Sequence, residues 1–414
     1  VNTRLRRSRW TTLAASGALL VALTAGAAAP AFAAGPAGPA ASDVPAASAT
    51  QLPPLDAAAL SKAISGLPNA DVTGALVRVT GGAGKWSGTS GSADLTTGQK
   101  VSADGSFRIG SISKVFTATV ALQLVAEHRL DLDGTVQQYL PGVLPAGYPA
   151  VTVGQLLNHT SGLPIGDSSS IWGDGSNQWF VDHRMHGVTP EQVVADGLTY
   201  PMEFQPGTAQ EYNGLNTFIA GMIVEKVTGQ TFAHEVQTRI ARPLGLHRTY
   251  VPEATDTRLP GPHAHGYLTV TNPDGTTREA DVTEQSPWPW AEGGMISTAP
   301  ELDRFMTALF RGRLLPPAQQ ALLFTVPDVP NHHNKNCAGT HACFSTGLMS
   351  ATLPGGTVIW GKTGSRPGYT SGMFATRDGS RHLVYSINPT GLTGAEAPYI
   401  MRIAMAAFGP SASS

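Results

Sequence analysis

Apolar residues recur along this chain in two rhythms. Between residues 55 and 65 they fall at Leu55, Leu60 and Ile64, a helical spacing. Ala75-Leu76-Val77-Arg78-Val79 then reads as a strand, Gly81 to Gly84 as a turn, and Trp86 as the start of a returning strand. After Ser111 the helical rhythm returns at Val115, Ala118, Leu122 and Val125. A second long helix is predicted over 215–227, with Ile219, Met222 and Ile223 inward and Gly229 as its stop. Toward the C-terminus the pattern turns back to strands. Val358-Ile359-Trp360 enters one, residues 369–376 form another, and Asp378-Gly379 turns the chain into 383–387. A last helix covers about 398–408. Strands at both ends with helices between them predict an α+β fold. Its sheet lobe is built from about 55–129 and 291–410, and a mainly helical lobe of about 130–290 is inserted.

The first fifty residues follow neither rhythm. Arg4, Arg6, Arg7 and Arg9 precede an apolar run over 13–29, and Ala31-Phe32-Ala33 supplies small residues after it. That order predicts a signal peptide over 1–33 and a secreted, extracellular protein. Val1 in place of Met suggests an alternative start codon and a bacterial source. Residues 34–54, rich in Ala, Pro and Ser, read as a flexible linker. No later run is long enough to span a bilayer, so no stable membrane span is expected after cleavage.

Composition narrows the function classes. Of the 414 residues 41% are hydrophobic and 14% charged, so a large core can form. The net charge of −2 excludes the basic excess of a nucleic-acid binder. Export permits a disulfide, and the two cysteines, Cys337 and Cys343, allow one intrachain pairing. A loop that short stabilises by about 2 kcal/mol. His332, His333 and His341 lie nearby but fit no zinc spacing, and no metal or organic cofactor is expected.

Candidate chemistry begins at Ser111-Ile112-Ser113-Lys114. Positions three apart share a helix face, so the hydroxyl and the ammonium can meet. Serine is a weak nucleophile and needs a base, and lysine serves only where its neutral form is accessible. A second element, Lys362-Thr363-Gly364 followed by Ser365, ends a predicted strand. There an ammonium and a hydroxyl could bind a carboxylate, and a backbone N–H could face an oxyanion. Between them stands Tyr212-Asn213-Gly214. A tyrosine near two lysines can relay protons.

A Ser-Xaa-Xaa-Lys followed downstream by Lys-Thr-Gly marks penicillin-recognising enzymes. Together with the tyrosine element, these segments resemble the serine D-alanyl-D-alanine carboxypeptidases and class C β-lactamases. The resemblance continues through Phe107-Arg108-Ile109-Gly110-Ser111 and Leu130-Asp131-Leu132-Asp133. It also includes Leu156-Leu157-Asn158-His159-Thr160-Ser161-Gly162-Leu163, Ala220 to Lys226, and Gly293-Gly294-Met295-Ile296-Ser297. It implies a β-lactamase/transpeptidase-like fold with the site in the cleft between the lobes. Ser111 would be acylated, Lys114 would take its proton, and Tyr212 would act as base or relay. Lys362 and Thr363 would hold a substrate carboxylate. The N–H groups of Ser111 and Ser365 would form the oxyanion hole, with Gly364 admitting substrate close to the strand. Trp288 would line the cleft, with Trp290 as its rival.

The implied activity is a D-alanyl-D-alanine carboxypeptidase on peptidoglycan stem peptides, expected as a monomer that meets a small peptide or a β-lactam. Alternatives are a class C-like β-lactamase, an esterase or D-amino-acid amidase, and a penicillin sensor that acylates without turnover. One departure bears on the choice. Gly214 stands where the family carries the asparagine that contacts the catalytic lysine and the substrate's acyl amide. Either Asn213 or Asn216 substitutes, or that contact is missing, which would favour an esterase.

Overall fold

The computed structural model describes residues 52–409, apart from 83, 167–170, 172 and 334. The expected signal peptide and nearly all of the expected linker lie outside the described residues. Asp56 opens the fold by capping helix Ala57–Ala63, its side chain accepting from the Ala59 N–H. The strands follow as β1 (Val72–Gly81), β2 (Trp86–Asp94), β3 (Gln99–Lys100), β4 (Ser106–Arg108), β5 (Tyr267–Thr271) and β6 (Thr277–Asp281). They end with β7 (Ile296–Thr298), β8 (Met349–Thr352), β9 (Val358–Arg366), β10 (Tyr369–Thr376) and β11 (Arg381–Pro389).

Seven of these form one antiparallel sheet in the order β3-β2-β1-β11-β10-β9-β8. The N-terminal β1 pairs with the C-terminal β11, Val77 opposite Tyr385, so the sheet joins the two ends of the chain. Its residues alternate between two cores as the pleat requires. Leu76, Met373 and Val384 face one core with helices Ser113–Ala126 and Ala299–Phe310. Val77, Phe374, Leu383 and Tyr385 face the other, with Leu60 of the first helix and Ile400 and Ile403 of the last, Ala397–Phe408. Being covered on both faces, β10 and β11 are buried along their whole length. Leu52 packs on the second core, and buried Arg381 donates to the carbonyls of Pro53 and Ala407, tying the beginning of the described chain to its end.

The segment between β4 and β7 is mainly helical, centred on helix Leu215–Thr228, which ends at Gly229 in the left-handed conformation (φ 69°). It also holds the β5–β6 hairpin, which the sequence reading did not foresee. That hairpin turns at Asp274-Gly275 (φ 85°) and buries only a small cluster of Leu268, Val270, Ala280 and Val282 with Val181. β8 was also not anticipated. Among the described residues no helix is long and apolar enough to cross a membrane.

Candidate active site

Ser111 does not lie in the long helix but on a short 3₁₀ turn, Gly110–Ile112, that leads into helix Ser113–Ala126. The expected pairing is present, with Lys114 Nζ 3.0 Å from Ser111 Oγ. Gly110 fixes where the turn sits. Its φ is +51°, and a Cβ there would lie 2.4 Å from the Ser365 nitrogen. A Cβ on Gly364 would lie 1.9 Å from the Ile109 carbonyl oxygen. The two glycines therefore allow the Ser111 turn to lie directly against β9. β8 pairs with β9 only as far as Gly361, so that among the described residues the edge from Lys362 onward has no strand partner on that side. The turn that carries Ser111 is thus brought against Ser365, an arrangement in which main-chain N–H groups of the two residues could frame an oxyanion. Gly110→Ala is expected to push this frame apart and lower kcat by about 10²-fold, the scale of losing one oxyanion donor. Steady-state kinetics beside a thermal melt would separate that loss from unfolding.

Tyr212 lies just ahead of helix Leu215–Thr228 and stands over both lysines. Lys362 Nζ is 4.5 Å and Lys114 Nζ 5.0 Å from its ring centroid. The ring is partly exposed, but the hydroxyl oxygen is buried and makes no hydrogen bond of regular geometry. Phe344 stacks on the ring at 5.0 Å, and buried His159 tilts against it at 4.8 Å. His159 is desolvated and faces two lysine charges, which hold its pKa well below the ordinary value. As a neutral ring it accepts from the Asn213 N–H (3.4 Å). Gln210, fully buried, spans the N–H groups of Cys343 and Phe344 and the carbonyls of Asn158 and Phe344. Cys337 and Cys343 form a disulfide, so a short closed loop is pinned through Gln210 to the ring that backs Tyr212.

The charges differ from the simplest expectation. Burial opposes the charge of Lys114, but Glu292, with a smaller contribution from Tyr212, offsets it and the lysine's pKa is raised. Both the Glu292 carboxylate and its main-chain oxygen accept from Lys114 Nζ, the latter at 3.0 Å. With Ser111 Oγ these use all three ammonium donors. For Tyr212, burial outweighs the nearby lysines, and its pKa is raised, so the resting side chain is a neutral phenol. Lys362 is pushed well below the usual lysine range by burial and by the Lys114 charge.

Several expected ligand contacts fall elsewhere. Asn213 does not face the cleft. Its amide donates to the carbonyls of Leu163 and Pro164 (2.9 Å each), and its oxygen accepts from the Leu215 N–H at 2.8 Å. Asn216, fully buried, is spent on Ser161 (2.6 Å) and His159 (3.2 Å). Lys362 is 1% exposed, lies beneath Tyr212 and donates to the Thr363 carbonyl (3.0 Å) rather than standing at an open wall. Thr363 is also buried, whereas Ser365 is half-buried. Trp288 is partly exposed and lies parallel to Phe218, while Trp290 turns inward against Phe232 and Gly221. Glu292 was missed. The signal available was an acidic residue directly before Gly293-Gly294, in a chain that lacks the family asparagine.

Two other features lie outside this cluster. A cavity of about 640 Å³ is lined by Arg184, Arg258, His263, His265 and Asp281 among others, and contains none of the Ser111 group. Among the described residues one set of potential metal ligands gathers, Glu203, Glu211 and His332, where a Glu211–His332 hydrogen bond at 2.6 Å already satisfies two members.

Comparison with known proteins agrees with this architecture. A D-stereospecific amidohydrolase from Streptomyces sp. superposes with a TM-score of 0.72 at 33% identity, covering 85% of this chain and 98% of that one. Penicillin-binding protein 4* of Bacillus subtilis is 26% identical over 72% of this chain and 64% of its own length. Esterase EstB of Burkholderia gladioli is 29% identical over 53% of this chain and 60% of its own length. The chain thus spans somewhat less than two thirds of these two curated relatives. The sequence pattern of the Beta-lactamase family matches residues 60–407. A Ser-Xaa-Xaa-Lys turn set against a Lys-Thr-Gly strand edge, in an antiparallel sheet spanned by that match, makes this chain a member of the Beta-lactamase family of serine hydrolases.

Proposed function

We propose that this protein is an exported serine hydrolase that cleaves amides and esters of D-configured acyl groups through an acyl-enzyme on Ser111. The Ser111 hydroxyl attacks the acyl carbon while Lys114, in its neutral form, takes the proton. Tyr212, a neutral phenol, passes a proton to the departing amine or alcohol as the bond to the acyl carbon breaks, and regains a proton from Lys114, which returns to its neutral form. Water then releases the acid and restores Ser111. The Ser111 and Ser365 N–H groups hold the oxyanion in both steps.

The placement of Lys362 favours amides and esters over peptides with a free C-terminus. A carboxypeptidase needs a cation open to the terminal carboxylate, and this ammonium is buried under Tyr212, shifted toward its neutral form, and bonded to its own strand. Glu292 acts in the same direction. A carboxylate near Ser111 offers acceptors where an asparagine would offer N–H donors to an acyl amide. The likeness to a D-stereospecific amidohydrolase, over nearly the whole of that chain, supports D-selectivity. The carboxypeptidase reading retains support from the penicillin-binding relative and from Lys362-Thr363-Gly364 itself. Export rests on the arginine-rich start, the apolar run and the Ala31-Phe32-Ala33 site.

The test compares kcat/KM for D- and L-phenylalanine amide and a peptide ending in D-Ala-D-Ala, with intact mass followed after adding penicillin. The D-amide is expected to exceed the other two by about tenfold or more, a modest discrimination for a shaped pocket. Faster release of D-alanine from the peptide, with a lasting penicillin adduct, would reverse the order of the two readings. Rapid penicillin hydrolysis would make the protein a β-lactamase.

A further inference from the structure

Gly214 has no conformational need to be glycine. Its φ is −65° and its ψ −35°, ordinary helical values at the start of Leu215–Thr228. Its importance lies in the space above it. A Cβ there would stand 3.2 Å from both Cγ and Oε1 of Glu292 and 3.4 Å from Cδ, tighter than relaxed packing allows. Glu292 reaches this space from the opposite wall, in the short helix Trp290–Gly293. Two features aim it. Trp290 holds a φ of +43°, unusual for a bulky residue, and its ring is seated against Gly221, where a Cβ would lie 2.7 Å away, and edge-on to Phe232 at 5.3 Å. The carboxylate and the main-chain oxygen of Glu292 then both meet Lys114 Nζ.

We propose that Glu292 is the positioning residue for Lys114, admitted by the missing side chain at Gly214, and that the two positions work as an interdependent pair. This rests on Ser111 and Lys114 being the acylating pair. The carboxylate and an asparagine amide could each hold the lysine's nitrogen, but only the carboxylate also favours its charged form. Glu292 therefore delays the appearance of neutral Lys114 as pH rises, and turnover climbs toward alkaline pH. The groups that face Lys114 are Glu292, Tyr212 from the loop before Leu215–Thr228, Lys362 from β9, and His159 from the loop after Val153–Leu157. Burial and the Lys114 charge disfavour the charged forms of Lys362 and His159, and Tyr212 is a neutral phenol. Glu292 is then the group whose removal shifts the lysine most.

The experiment compares the full-length wild type with Glu292→Gln, Glu292→Ala, Gly214→Asn and the double variant Gly214→Asn/Glu292→Ala. Ser111 acylation by p-nitrophenyl acetate is followed by intact mass and turnover across pH. Glu292→Gln keeps a side chain of the same shape, and its ascending pH limb is expected to move to lower pH. Gly214→Asn alone crowds Glu292 and is expected to slow acylation by about tenfold or more, whereas the double variant should recover to within about fivefold of wild type. Thermal melts identify any variant that fails to fold, and the Glu292→Gln profile then decides alone. An unchanged limb in Glu292→Gln, or a double variant no faster than Glu292→Ala, overturns the proposal. A wild type that is neither acylated nor active overturns the hydrolase reading instead, so the two failures are distinguishable.

Discussion

Ser111→Ala is expected to remove covalent labelling altogether and to lower turnover by about 10⁴-fold or more, the usual scale for deleting a nucleophile that acts as one unit with its base. The substitution deletes a single oxygen. The Ser111 and Ser365 N–H groups remain, as do the Gly110 turn and the contacts of Tyr212, so KM should change little while kcat collapses. Stability should also change little. Lys114 keeps both contacts with Glu292 and loses only its bond to Oγ, worth about 1 kcal/mol. Intact mass after treatment with an activated ester, beside a thermal melt, reads both quantities. A variant that still forms the adduct, or turns over within about tenfold of wild type, would remove Ser111 from the mechanism.

The outline of the fold was legible because its signals are local. The period-two runs that became β1, β10 and β11, and the glycine stop of helix Leu215–Thr228, depend on neighbours within a few residues. The strand 369–376 and the helix over 398–408 were placed to within a residue of their observed bounds. The β5–β6 hairpin escaped because it buries few residues and its alternation is interrupted by exposed threonines and charges, although the Asp274-Gly275 turn was readable.

At the site the sequence motifs named Ser111, Lys114, Tyr212 and Lys362, which the fold gathers into one cluster, but could not orient them. Asn213, adjacent to Tyr212 in sequence, turns into the Leu163–Pro164 loop because helix Leu215–Thr228 needs an acceptor for its first N–H. Lys362 points under the tyrosine ring, where side chains on two lobes meet, and no local pattern records that. Glu292 lies 178 residues from Lys114. Its role follows from an empty volume above Gly214, a quantity that exists only once the lobes are packed. The lysine's charge state follows in turn from the carboxylate.

That buried pair also sets the largest expected effect on stability. Lys114→Ala removes one partner and leaves the Glu292 carboxylate without its cation, with a side chain only 16% exposed. Breaking such a pair costs about 3–5 kcal/mol, and the residual exposure of Glu292 places the expected loss near the lower end. Activity should fall by about 10²–10⁴-fold, as for loss of a general base. The double variant Lys114→Ala/Glu292→Ala removes both charges and should regain much of the lost stability, though not the activity, because the penalty arises from the unpaired carboxylate rather than from lost attraction. The pH dependence has a definite sign. The folded pKa of Lys114 is raised, so its contribution is complete below the unfolded lysine value of about 10.4 and fades as pH climbs through the higher folded value. Wild type should therefore lose stability on the alkaline side, and the double variant should lack that component. Urea midpoints of the three proteins at neutral and alkaline pH measure both effects. A double variant as unstable as Lys114→Ala would show that lost packing around the lysine stem, not the stranded charge, sets the cost.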